Sequence, residues 1–319
     1  MVTTEFHALA DVWRESAQLS DDELCDRVQA DKVDILVDLS GHSAGNRLTV
    51  FARKPAPIQV SAIGHVTGTG IPVMDYLLAD ATLIPAEVRS LFAEKVYDLP
   101  CAITIGPAPY VPASPLPMIR NGHVTFGVFN RIDKISDPAL ELWSRLVLAV
   151  PDARFVIKHM AIDDPMLRDG LIARFAAHGI DADRVRCIGT TSRLEHLAMF
   201  ADIDMSLDPF PQNGGASTWE SLQMGVPVIT KLGKTASGRI GGAIVRAVGL
   251  GDWVADDDDG YVAIARKFAS SPDALAAIRA GLPAMVANSE AGNCERYTRL
   301  VEEGYRRFWR DYCAGAVPE

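Results

Sequence analysis

Three stretches of this 319-residue chain carry side chains suited to holding a phosphate-bearing ligand. In NRIDK (130–134), Lys134 stands just before a predicted helix whose first turn holds Asp137 and Pro138. With a strand ending at Phe129, that lysine lies at the strand's carboxyl end, where an ammonium can meet a phosphate. Taken alone it also reads as a solvated loop lysine. In PFPQNGGASTWE (209–220), Gly214, Gly215, Ser217 and Thr218 run into a helix carrying Glu220. Glycines let backbone amides approach an anion, and a helix N-terminus adds partial positive charge. An αL turn with an ordinary cap explains the same residues, and without a following GK[ST] this is not a Walker loop. TSRLEH (191–196) opens a further helix, with Arg193 and His196 three apart on one face. Ser192 and Glu195 there have capping-box spacing.

Metal chemistry has one candidate, the DxD of Asp202 and Asp204. Asp202 sits at a predicted helix end and Asp204 opens a buried strand, so both read as structural and no metal is expected. Asp256 to Asp259 reads as a solvated loop. The five cysteines are dispersed and form no CxxC or Cys/His cluster, which fits reduced thiols and leaves no zinc set. Two glycine-rich loops, GHSAGNR (41–47) and IGHVTGTG (63–70), follow predicted strands and suit either a ligand cleft or plain turns.

The elements that would position these groups alternate. Ser20 and Glu23 open a helix that feeds the strand VDILVDL (33–39), and further strands follow at 58–64 and 74–80. GPAPYVPASPLP (106–117) holds five prolines and cannot lie inside a regular element. Beyond it, strands at 123–129, 154–159, 185–189, 204–208 and 226–230 are separated by helices over 138–150, 165–177, from Ser192, 217–224 and 237–248. Apolar strands each followed by a helix predict an α/β fold with parallel sheets covered on both faces. The expected division is a lobe over 1–105, a Pro-rich linker over 106–120, a nucleotide-binding lobe over 121–292 and a terminal helix over 293–319.

Composition bounds the function. Apolar residues at 48% and charged residues at 23% describe a globular chain with a full core. The net charge of −10, with no basic concentration, argues against a nucleic-acid partner. There is no signal-like N-terminus and no apolar run near the roughly 18 residues a membrane span needs, so neither membrane nor export is expected and the reading is cytoplasmic.

Together the motifs resemble the catalytic region of the O-linked N-acetylglucosamine transferases and SPINDLY-like proteins. DILVDLSGHSAGNRLTVFARKPAPIQV (34–60), FGVFNRIDK (126–134), LDPFPQNGGASTWESLQMGVPVIT (207–230) and ASGRIGGAIVRAVGL (236–250) carry the likeness, in the family's order. The resemblance implies a GT-B architecture of two Rossmann-like lobes. It also implies inverting, metal-independent transfer of a sugar, first of all N-acetylglucosamine from UDP-GlcNAc, to Ser or Thr hydroxyls of proteins. By resemblance Lys134 is the catalytic lysine facing the departing diphosphate, His196 contacts the base, and Arg193 and Glu220 lie by the ribose. Gly214, Gly215, Ser217 and Thr218 would hold the diphosphate, Arg131 would add positive charge in place of an amide residue, and Gly64 would lie beside the donor sugar. Ala216 departs from the family's threonine, and GHVT (64–67) from its GYPG. The resemblance further implies that the chain begins inside an incomplete first lobe. The family's opening strand and tetratricopeptide repeats would then precede Met1, and a repeat region or companion chain would be a partner. A non-catalytic remnant that binds nucleotide or protein is the alternative.

Overall fold

The computed structural model describes residues 2–62, 64, 66–109 and 114–315. Ile63 and His65 of the 63–70 loop, and Tyr110 to Ala113 of the Pro-rich stretch, lie outside the described residues. In chain order the elements are α1 (Val2–Leu9), α2 (Asp21–Ala30), β1 (Ile35–Asp38), α3 (Leu48–Phe51), β2 (Ile58–Ser61), β3 (Tyr76–Ala79) and β4 (Lys95–Asp98). There follow α4 (Pro117–Asn121), β5 (Thr125–Val128), α5 (Asp137–Ala149), β6 (Arg154–Lys158), α6 (Pro165–Ala177), β7 (Val185–Ile188) and α7 (Arg193–Ala198). The chain ends with β8 (Met205–Leu207), α8 (Ala216–Gln223), β9 (Val228–Lys231), α9 (Ile240–Ala247), β10 (Val254–Ala255), α10 (Asp258–Ala269), α11 (Pro272–Asn288) and α12 (Cys294–Cys313). Among the described residues no helix is long and apolar enough to cross a membrane.

By contact the chain divides into two compact units, residues 1–77 with 91–95 and 305–319, and residues 78–90 with 96–304. In the first, β1, β2 and β3 pair in parallel, in a four-stranded sheet of order β1-β2-β3-β4. The capping box read at Ser20 forms, with Ser20 Oγ accepting from the Glu23 amide and Glu23 reaching back to the Ser20 amide. Leu48, Phe51 and Met74 are buried together in this unit. Asp38, buried at the end of β1, accepts from the amides of Ser40 and Gly41 and so shapes the GHSAGNR loop.

The second unit holds six strands, all paired in parallel, in the order β10-β9-β8-β5-β6-β7. Counted from β5, this is the 3-2-1-4-5-6 order of a doubly wound nucleotide-binding sheet, and the order reverses between β5 and β8. Strands pressed between helices on both faces must be apolar throughout, and β5 is buried along its whole length. Trp143, Phe155 and Phe175 fill one side of the core and Trp219, Trp253 and Tyr261 belong to the same cluster.

Two sequence expectations change here. Asp256 to Asp259 do not form a free loop: Asp257 caps α10 by accepting from the Gly260 amide at 2.7 Å, and Asp258 and Asp259 sit in its first turn, favourable against the helix dipole. Pro117, read as lying outside any regular element, instead opens α4, where a proline is tolerated because a first-turn N–H has no partner within the helix. The described part of the Pro-rich stretch lies along α8, where Gln223 accepts from the Ala108 amide at 3.0 Å and donates to the Gly106 carbonyl at 3.1 Å.

Candidate functional site

Chain direction fixes where a ligand can bind in such a sheet: outside the carboxyl ends of the strands, at the point where the order reverses. In the second unit the loops after β5 and β8 meet there. Past β5 the chain makes a short 3-10 turn over Ile132–Lys134, then α5 opens with Ser136 accepting from the Ala139 amide. The turn carries Lys134 across to the other loop, where its Nζ donates to the Asn213 carbonyl at 2.6 Å. Ser136 Oγ donates to the Phe210 carbonyl at 2.5 Å, a second tie between the same two loops. Burial pushes the Lys134 ammonium below its ordinary value, and the nearby charge of Asp208 is the chief influence holding it up.

The loop after β8 folds tightly before α8 begins. Asn213 is fully buried, its amide donating to the Ser237 carbonyl and its side chain to the Pro209 carbonyl. Gly214 has no room for a side chain: a Cβ there would meet Ser217 Oγ at 2.7 Å, Asn130 Oδ1 at 2.8 Å and Thr218 Oγ1 at 2.8 Å. Ser217 Oγ donates to Asn130 Oδ1 at 2.7 Å. Gly215 is the N-cap of α8, so the first-turn amides and the positive end of the helix dipole open beside Lys134's loop. Lys134, Gly214, Gly215, Ser217 and Thr218 thus lie where the two loops adjoin; the Gly214 amide is held by Asp208 and the Ser217 hydroxyl by Asn130, while the start of α8 is the part suited to an anion.

One turn further along α8, Glu220 accepts from Arg193 at 2.5 Å and faces His196 Nε2 at 3.0 Å, both from α7. Ser192 caps α7 with the predicted box, which fixes the phase that turns Arg193 and His196 to the same side. Burial works against the Glu220 charge, but the hydrogen bonds from His196 and Arg193 outweigh it and hold the carboxyl below its usual range. The His196 ring is set against Phe129 and Phe200, centroids 5.7 Å and 5.8 Å away. An acidic acceptor beside a packed imidazole can take ribose hydroxyls and the edge of a base.

The Arg131 guanidinium pairs with Asp133, and both line a hollow of about 580 Å³ with His159, Met166 and Arg174. Gly64, in the first unit, is set by backbone packing: a Cβ there would lie 1.6 Å from the Leu39 carbonyl oxygen. The two members of the DxD diverge, Asp202 pairing with Arg186 at 3.2 Å and buried Asp204 accepting from the amides of Met118 and Thr125, each at 2.8 Å. Sequence reading missed Asn130, whose side chain orients Ser217, and Asp208, whose carboxylate anchors the loop. A polar residue ending an otherwise apolar strand was the available signal for Asp208.

The family model for glycosyl transferase family 41 matches residues 8–111 and 116–301. A probable UDP-N-acetylglucosamine–peptide N-acetylglucosaminyltransferase SPINDLY from Arabidopsis thaliana is 35% identical over 310 residues, covering 96% of this chain and 34% of its own length. The rice protein of the same name is 36% identical, covering 96% of this chain and 33% of its own. The chain therefore spans about a third of the length of these relatives. A mutant O-GlcNAc transferase from Thermobaculum terrenum superposes with a TM-score of 0.90 at 35% identity, over 99% of this chain and 60% of that one. Anabaena HepE, solved with UDP and glucose, matches with a TM-score of 0.60 at 13% identity, over 93% of this chain and 84% of that one, a likeness of fold. Two parallel α/β sheets matching GT-B enzymes, a switch-point donor cluster and the family model spanning nearly the whole sequence lead to one assignment: the chain belongs to glycosyl transferase family 41.

Proposed function

We propose that this chain transfers a sugar from a nucleoside diphosphate sugar, first of all UDP-N-acetylglucosamine, to Ser or Thr hydroxyls of proteins, with inversion and without a metal. The acceptor oxygen releases its proton to water and bonds to the anomeric carbon as the bond from that carbon to the phosphate oxygen breaks. The electron pair leaves on the diphosphate. The observation that carries the reading is Lys134, an ammonium seated on the Asn213 carbonyl at the switch point, beside the start of α8. Charge growing on the leaving phosphate needs preorganised cations and N–H donors, and in a site shielded from water these act strongly. Glu220, with Arg193 and His196, would receive the nucleoside one helical turn away. Support for the metal-free reading comes from Asp202 and Asp204, whose oxygens are committed to Arg186 and to two backbone amides.

Calorimetry with UDP and GDP in the presence of a chelator tests the donor site, and mass spectrometry of a Ser/Thr-rich protein incubated with UDP-N-acetylglucosamine tests transfer. Metal-free nucleotide binding with a mass increase of one sugar is the expected result. Binding that appears only with a divalent cation would remove the metal-free reading, and binding with no transfer to any protein would leave a nucleotide-binding chain that is not a transferase.

A further inference from the structure

We propose that Asp208 is the positioning residue of the donor site: its carboxylate folds the 209–215 loop so that the Asn213 carbonyl seats the Lys134 ammonium, and its charge is that ammonium's counter-charge. This rests on the reading of Lys134 as the group that meets the leaving diphosphate. Asp208 follows β8 directly and is 1% exposed. Its Oδ1 accepts from the Gly214 amide at 2.6 Å and its Oδ2 from Thr230 Oγ1 at 2.7 Å. Its own amide donates to the Ile229 carbonyl at 3.0 Å, and its carbonyl receives the Tyr261 hydroxyl at 3.4 Å. All sides of the residue are therefore fixed, and the carboxylate binds the residue next to the one that holds Lys134. Close packing adds to this: a Cβ on Gly241 would fall 1.9 Å from Asp208 Oδ2, so α9 presents a bare backbone to the carboxylate.

A buried carboxylate with two hydrogen bonds is costly unless a cation answers it. The charged and titratable groups facing it are Lys134, from the turn after β5, and Tyr261, from α10, whose hydroxyl burial pushes up and keeps neutral. Lys134 in turn is faced by Asp208, Arg131 and Asp133. Burial pushes Asp208 up to about 7, against the pull of Thr230, Gly214 and Lys134. The Asp208 carboxyl thus titrates close to neutrality. Above that point the carboxylate supports both the loop and the ammonium. Below it, the oxygen that takes the proton becomes a donor and a weaker acceptor, so its bond from the Gly214 amide or the Thr230 hydroxyl weakens.

The test compares the wild-type chain with Asp208→Asn, which keeps the shape and removes the charge. Isotope-labelled lysine in the nucleotide-free protein reports the titration of Lys134, its signal identified by loss in Lys134→Ala. Calorimetry of UDP or GDP as a function of pH reports the site. In Asp208→Asn the Lys134 titration is expected to move to lower pH, and the wild type's step in nucleotide affinity centred at about pH 7 to be lost. A residue that only holds the fold would lower the melting temperature and leave both unchanged, and that result overturns the proposal. If Asp208→Asn does not fold, Thr230→Val serves: it removes a donor that favours the carboxylate, so the step should move to higher pH, and a step that stays in place overturns the proposal. If the wild type binds neither nucleotide, the donor-site reading fails, while the Lys134 titration still decides the role of Asp208.

Discussion

The Nζ of Lys134 donates to the backbone carbonyl of Asn213 at 2.6 Å, tying the loop after β5 to the loop after β8 across the point where the strand order reverses. A cation held by a carbonyl, and not by a direct carboxylate pair, keeps its charge available to an incoming anion. Removing one such preorganised electrostatic partner costs on the order of 10²–10³ in turnover, about 3–4 kcal/mol. Lys134→Ala is expected to lose at least about a hundredfold in turnover while nucleotide affinity drops no more than about tenfold, because the start of α8 still holds the diphosphate. Lys95→Ala, at an exposed lysine of β4, should change neither. Near-normal turnover by Lys134→Ala would return Lys134 to an ordinary loop lysine.

Glu220 and His196 should act as a unit on the nucleoside. Removing one partner of a buried, charge-assisted hydrogen bond costs roughly 1.5–3 kcal/mol, so Glu220→Ala should weaken UDP binding by about tenfold or more. In a double-mutant cycle, His196→Ala made on top of Glu220→Ala should add little. Full additivity in calorimetry would show that the pair does not bind as one.

Asp202 is committed to Arg186 on the surface. Asp202→Ala is therefore expected to leave UDP affinity within about twofold and to leave its insensitivity to chelator intact, since surface pairs contribute little. A large loss restored by manganese would instead make Asp202 a ligand.

Gly64→Ala is expected to destabilise the first unit whether or not donor is present, because the added Cβ would fall 1.6 Å from the Leu39 carbonyl oxygen and the backbone must move. Forced overpacking of this kind costs about 1–3 kcal/mol. An unchanged melting temperature with a selective loss of donor binding would assign the glycine to the ligand and not to the fold.

Asp208 makes stability depend on pH with a definite sign. Its folded value, about 7, lies above the ordinary carboxyl value of 3.8, so the unfolded chain releases this proton first as pH rises. The stability it contributes is complete below the unfolded value and is lost as pH rises through the folded one. Asp208→Asn lacks this dependence, so its melting temperature should improve relative to wild type between about pH 4 and pH 7. A constant difference across that window would contradict a raised carboxyl.

The sequence by itself determined the local structure and the class. Capping boxes at Ser20 and Ser192 formed as read, because a cap needs only residues three apart. Strand and helix alternation around Pro138 and Pro165 was legible for the same reason, since burial on both faces of a parallel sheet leaves apolar runs that short polar turns interrupt. The grouping of Lys134 with Gly214 and Ser217 followed from their shared position at strand carboxyl ends. Only the tertiary structure decided which polar residues face inward. Asp204 and Asp208 have the same side chain four residues apart, yet one closes a backbone gap beneath α4 and the other anchors the loop at the switch point. Arg131, two residues from Asp133, was turned to that neighbour, and Gly64 was fixed by a carbonyl 25 positions earlier in the chain. Such choices depend on what the other end of the chain brings into contact, and spacing along one strand or helix carries no record of it.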